Sequence, residues 1–427
     1  MAQFTAEVFQ NEYLAENGTD VHAIVSVRCS DAGVAGKTGA GDAGEVLILD
    51  TSGSMANPNT KIEAVRAAAA VALDEIVDGT YFAVIAGTDT AQLAYPPDDA
   101  ESLMVRMSPA TRNEAKAVVR RLRPNGGTAI GTWLQLATDV FADSGLSQCH
   151  AILLTDGRNE SESAEALQDG IDAARGKFQC DCRGVGANWV VDELRTIATA
   201  LLGSLDLIAS PADMEADFET MIRSAMSRGV ARADLRVWAP QGAEVLFVRQ
   251  VAPTLEDLTS RRTPVSDLIG EYPTGSWGDE SRDYHVAVRV PARAVGSEQL
   301  AARVQLVVND AVVAQGLVKA VWSDDEVLTT RLNKEVAHYT GQAELAQVIQ
   351  EGLAAKAAGD EATATVKLGR AVQLAAETHN DEATTKLKKL VTVEDADTGT
   401  VRLKRDVAKL DEMALDTAST KTTRVRK

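Results

Sequence analysis

The chain has 427 residues, of which 45% are hydrophobic, 25% charged and only 4% aromatic. At roughly 100–200 residues per domain this is room for two to four domains, and the composition excludes collagen-like, mostly disordered and disulfide-framework classes. Lys and Arg total 43 against 62 Asp and Glu, a net charge of −19, which argues against non-specific nucleic-acid binding or docking on anionic membranes and fits a protein that meets metal ions or basic partners.

The first residues, Met1-Ala2-Gln3-Phe4-Thr5-Ala6-Glu7, lack the basic and apolar regions of a secretory signal. No apolar run approaches the ~18 residues of a membrane span. The richest, Ala67 to Leu73, is short and flanked by Arg66 and Asp74. The expected location is the cytoplasm. Cys180 and Cys182 share one face of a predicted strand, where they bridge poorly, and they read with Cys29 and Cys149 as core thiols. His22, His150, His285, His338 and His379 are scattered, with no pair at metal-ligand spacing.

In chain order, residues 1–30 hold strand-like runs broken at Glu16-Asn17-Gly18-Thr19, and residues 31–44 read as a Gly-rich linker. Residues 44–228 alternate strand and helix signals. Apolar runs at 45–50, 81–87, 151–155, 178–185 and 204–209 are interleaved with helical stripes such as Ile130, Trp133, Leu134, Ala137, Val140 and Phe141. That alternation predicts a doubly wound, mostly parallel α/β sheet covered on both faces. From 229 to 323 the period changes to two, as in Ala233, Leu235 and Val237, which predicts a β-sandwich. The strands before residue 30 have no sheet of their own, so they are expected to pair into it. The α/β domain is then an insertion in the sandwich. Residues 325–415 carry amphipathic helical patterns with turns at Gly359-Asp360 and Asn380-Asp381, predicting a helical bundle. Residues 416–427 read as a disordered basic tail.

The chemistry gathers at three points of the α/β region. Asp50-Thr51-Ser52-Gly53-Ser54-Met55 follows a buried strand and precedes a helix. Asn125-Gly126-Gly127-Thr128 presents another hydroxyl before the Trp133 helix. Thr155-Asp156-Gly157 ends another buried strand. Loops at the carboxyl edge of an open α/β sheet form its binding crevice. Asp50, Ser52, Ser54, Thr128 and Asp156 therefore fall at one edge, a hard oxygen set that suits Mg²⁺ or Mn²⁺ better than Zn²⁺. Taken alone, the Asp-x-Ser-x-Ser loop also reads as a turn or helix cap.

The set Asp50-x-Ser52-x-Ser54, Thr128 and Asp156-Gly157 resembles the metal-ion-dependent adhesion site of von Willebrand factor type A domains over residues 44–228. The resemblance implies a Rossmann-like fold with Ser52, Ser54 and Thr128 as direct ligands of Mg²⁺, with Mn²⁺ or Ca²⁺ as alternatives. It implies that Asp50 and Asp156 act mainly through waters, and that an acidic side chain of a protein partner fills one vertex. The wider layout resembles bacterial cytoplasmic proteins with this domain inserted in a β-sandwich and followed by helices, some of them scaffolds in phosphorylation-linked signalling. The expected function is metal-dependent protein binding, not catalysis. A metal-assisted hydrolase and a metal-indifferent scaffold are the alternatives.

Thr422 and Thr423 lie in a basic tail and suggest a phosphothreonine read by a partner domain. Asp395-Ala396-Asp397-Thr398-Gly399 lacks the later ligands of a calcium loop and reads as a turn. No nucleic-acid or membrane partner is expected.

Overall fold

A computed structural model of the chain describes residues 2–36, 42–97 and 99–425. They form two compact units, one of residues 32–231 and 275–278, the other of 2–31, 232–274 and 279–425. Residues 37–41 of the expected linker lie outside the described residues.

The chain opens with β1 (Gln3–Gln10), β2 (Tyr13–Leu14) and β3 (Asp20–Ser30). The α/β unit follows. Its first half is β4 (Ala43–Asp50), α1 (Thr60–Glu75), β5 (Tyr81–Gly87), β6 (Ala91–Tyr95), β7 (Val105–Arg106), α2 (Pro109–Val119) and α3 (Ile130–Ser144). Its second half is β8 (Gln148–Thr155), α4 (Ala164–Ala174), β9 (Gln179–Val185), α5 (Val191–Ala200), β10 (Leu205–Ile208) and α6 (Met214–Met226).

These strands build one sheet of order β10-β9-β8-β4-β5-β6, with β7 also paired to β5. β4, β5, β8, β9 and β10 are parallel, and every residue of β4 is buried, as helices on both faces require. The short antiparallel strands β6 and β7 were not legible in the sequence. The chain runs outward from β4 to β6, then returns to the other side of β4 with β8. The switch point, where open sheets bind ligands, therefore lies between β4 and β8. One tight contact fixes α3 beneath that edge. A Cβ on Gly87 would stand 2.4 Å from the Trp133 ring, so only glycine lets the indole seat. Trp133 Nε1 then donates to the Thr88 carbonyl at 2.7 Å.

The second unit continues with β11 (Val230–Trp238), β12 (Glu244–Ala252), β13 (Glu256–Asp257), β14 (Thr263–Ser266), β15 (Ile269–Trp277), β16 (Ser281–Arg289), β17 (Glu298–Val308) and β18 (Ala311–Trp322). Its sheets have orders β1-β3-β16-β12-β13 and β14-β15-β11-β17-β18-β2. The N-terminal strands thus complete the sandwich, and the α/β unit is inserted in the sequence between β3 and β11. The two sheets meet closely: a Cβ on Gly316 of β18 would lie 2.4 Å from Val8 Cγ2 of β1.

Helices α7 (Glu326–Thr329), α8 (Lys334–Ala357), α9 (Glu361–Glu377) and α10 (Asp381–Leu390) follow. Asn333, Asp360 and Asn380 cap the last three through side-chain oxygens. The region is not purely helical, because β19 (Val391–Asp395) and β20 (Thr400–Leu403) form a hairpin before α11 (Lys409–Ala418). Val391, Val393, Val401 and Leu403 alternate, and the Asp395–Gly399 segment is its turn.

The tail, expected to be disordered, is ordered through residue 425. Asp416–Ala418 belong to α11, and the residues after it are strapped down. Leu255 N donates to Thr420 O at 2.8 Å and Thr422 N to Pro253 O at 3.0 Å. Thr422 Oγ1 donates to Val251 O at 2.6 Å, and Gln342 Nε2 donates to Thr423 Oγ1 at 2.9 Å. Both threonine hydroxyls are therefore engaged, and the phosphothreonine reading requires release of this strap. Composition marked the segment polar and basic but carried no trace of the edge it pairs with. Arg426 and Lys427 lie outside the described residues.

Candidate metal centre

Parallel register brings the two carboxylates together. Leu49 of β4 is paired with Leu154 of β8, so Asp50 and Thr155 emerge side by side. Thr155 Oγ1 donates to Asp50 Oδ2 at 2.5 Å, and Ser52 N donates to Asp50 Oδ1 at 2.7 Å. Ser52 Oγ lies 2.9 Å from Ser54 Oγ, and Ser54 Oγ donates to Asp156 Oδ1 at 2.5 Å. Four of the five expected residues thus form one hydrogen-bonded chain.

Thr128 lies close to them beside Gly157, where a side chain would be a tight fit. A Cβ on Gly157 would lie 3.1 Å from Thr128 Oγ1, 3.6 Å from Ser54 Oγ and 3.9 Å from Asp50 Oδ2. Oxygens from the first two loops therefore converge beside Gly157 of the third. The loops are also clipped to one another. Gly53 N donates to Gly126 O at 2.9 Å, and Asn125 N to Thr51 O at 2.8 Å. Gly126 has φ +70°, where a side chain is strained.

The loop after Asp156 holds Thr128 in place. Ser161 Oγ accepts from Thr128 N at 3.0 Å, and Ser161 N donates to Thr128 O at 2.9 Å. Asn159 Oδ1 accepts from Ile130 N at 2.7 Å and Glu162 Oε1 from Gly131 N at 2.6 Å. They supply the cap that Ala129, at the N-cap of α3, has no side chain to make. Sequence reasoning missed all three. An uncapped helix start beside a polar loop is the signal that points to them.

It also missed Lys61. This residue is second in α1, and its ammonium contacts Asp156 Oδ2. A lysine in the first turn of a helix opposes the macrodipole, and that mismatch is legible in sequence.

The electrostatics suit a cation. Burial pushes the Asp50 carboxyl up to about 6; hydrogen bonds from Ser52 and Thr155 act the other way, and the nearby Asp156 charge adds to the rise. A bound cation would offset that burial penalty. Among the described residues no three His, Cys, Asp or Glu side chains are set to hold a metal, so any metal here depends on the hydroxyls. Two carboxylates with three hydroxyls around a small gap fit a hard divalent ion.

The comparisons with known proteins identify the family. A family profile for the von Willebrand factor type A domain matches residues 46–159, and one for the von Willebrand factor type A C-terminal domain matches residues 373–419. A solved structure described as von Willebrand factor type A from Catenulispora acidiphila is 45% identical, with a TM-score of 0.93 over 99% of this chain and 97% of that chain. The chain belongs to the von Willebrand factor type A family. The ArnB paralog VWA2 from Sulfolobus acidocaldarius is similar in fold, with a TM-score of 0.63 at 15% identity over 98% of each chain. No curated protein sequence matches significantly. In this von Willebrand factor A protein, no helix among the described residues is long and apolar enough to cross a membrane.

Proposed function

We propose that this chain is a cytoplasmic scaffold whose α/β unit binds a protein partner through a divalent cation, Mg²⁺ or else Mn²⁺ or Ca²⁺. Ser52, Ser54 and Thr128 hold the ion directly, and Asp50 and Asp156 act mainly through waters. With mostly neutral ligands the ion stays electrophilic and takes a carboxylate from the partner. The observation that carries the reading is the convergence of Thr128, Ser54 and Asp50 oxygens beside Gly157, linked through Ser54 to Asp156. Binding is favoured over turnover because the carboxylates that could act as a general base, Asp50 and Asp156, are already engaged by Thr155, Ser52, Ser54 and Lys61. The helical region offers a second contact surface.

The test is capture from native lysate on immobilised full-length chain. Capture is expected in Mg²⁺, and is expected to fall at least ~10-fold in EDTA and in Thr128→Ala, since that substitution removes a direct ligand. Equal capture by the variant, or in EDTA, overturns the reading.

A further inference from the structure

The contact between Lys61 and Asp156 is more than a surface ion pair. The lysine side chain is only 13% exposed and the aspartate 0%. Asp156 Oδ1 already takes the Ser54 hydroxyl at 2.5 Å, and the ammonium takes the other oxygen. Asp50, beside it, is also fully buried, and its two oxygens accept from Ser52 and Thr155. Two buried carboxylates at one sheet edge repel each other and demand a counter-charge. Lys61 supplies it from the first turn of α1, a position where the helix dipole disfavours a cation. The unfavourable placement is offset by what it faces.

We propose that Lys61 is a resident cation of this site. It neutralises Asp156 when no metal is bound and so keeps the loops set in the metal-free protein. With the ion present it remains as an extra positive charge, which weakens retention of the metal and strengthens the pull on an anionic partner group. In charge terms, Asp50, Asp156 and Lys61 sum to a single negative charge. A divalent ion turns that into a single positive charge, where without the lysine the sum would be neutral. This inference rests on the metal-binding reading above and names how the same site is tuned.

The test uses the full chain and Lys61→Gln, with thermal melting in EDTA and in Mg²⁺ and calorimetric titration with Mg²⁺ alone. Lys61→Gln is expected to melt several degrees below wild type in EDTA. Mg²⁺ is expected to restore it and to bind it roughly 10-fold more tightly than wild type, the scale of removing one nearby like charge. Lys61→Arg is expected to behave as wild type in both. Equal melting in EDTA together with equal Mg²⁺ affinity overturns the role of Lys61, while Mg²⁺ stabilisation of both proteins leaves the metal reading standing. No Mg²⁺ uptake by either protein overturns the metal reading, and with it the competition, even if Lys61→Gln melts low in EDTA. If Lys61→Gln fails to fold, the double variant Lys61→Gln/Asp156→Asn is decisive. It is expected to fold in EDTA, because both charges are gone, and its failure to fold overturns the pairing.

Discussion

Replacing His150 with leucine is expected to destabilise the α/β unit by about 3–5 kcal/mol and to lower its melting midpoint by roughly 10 °C. His150 sits on β8 between Glu45 of β4 and Asp181 of β9. Its Nδ1 lies 2.8 Å from Glu45 Oε1, and its Nε2 lies 2.9 Å from Asp181 Oδ2. All three side chains are buried. Burial alone would push the imidazole down, but the Glu45 and Asp181 carboxylates outweigh it and hold its pKa up to about 9. The imidazolium therefore bridges two buried acids. Leucine removes the partner of Glu45, whose carboxyl burial already pushes up, while Asp181 keeps its bonds from Ser204 N and Oγ.

The pH dependence has a definite sign. A histidine whose folded pKa exceeds its unfolded value of about 6.5 contributes its full stabilisation below pH ~6.5 and loses it as pH rises through about 9. Denaturant unfolding of wild type should thus show stability declining across that window. A wild-type stability that is flat from pH 6.5 to 9.5 contradicts the assignment.

Filling the space beside Gly157 is expected to have a large effect on the metal centre. Gly157 is not among the positive-φ glycines, so its backbone accepts a side chain. What a side chain would lose there is room. Its Cβ would stand 3.1 Å from Thr128 Oγ1, among the oxygens proposed to hold the ion. Gly157→Val is expected to weaken Mg²⁺ binding roughly 100-fold, at the upper end of effects from groups just outside a metal's ligands. Melting in EDTA is expected to stay within a few degrees of wild type. Unchanged Mg²⁺ affinity in Gly157→Val contradicts the placement of the ion.

The parts of the site that sequence could show were the parts carried by short contiguous motifs. Asp50, Ser52 and Ser54 lie within five residues, and Asp156 ends an apolar strand, so each was legible by itself. Their convergence also followed from fold logic, because every parallel strand of such a sheet ends at the same edge. Lys61, Asn159, Ser161 and Glu162 were not legible as a group, since they meet the site only through the loop packing around α1 and α3. The Glu45–His150–Asp181 cluster needed the strand register as well, which sets Glu45 beside His150. Polar residues inside buried parallel strands were the available clue. The tail shows the opposite failure. A segment poor in apolar residues can still be ordered when backbone hydrogen bonds hold it, and composition does not report those.

The central claim is that Ser52, Ser54, Thr128, Asp50 and Asp156 form one divalent-cation site. Its most direct test is calorimetric titration of Mg²⁺ into the full chain and into the Ser52→Ala/Ser54→Ala double variant. One saturable site is expected in wild type, and an affinity at least ~100-fold weaker in the double variant. Saturable binding of equal affinity in both proteins, or none in wild type, would contradict it.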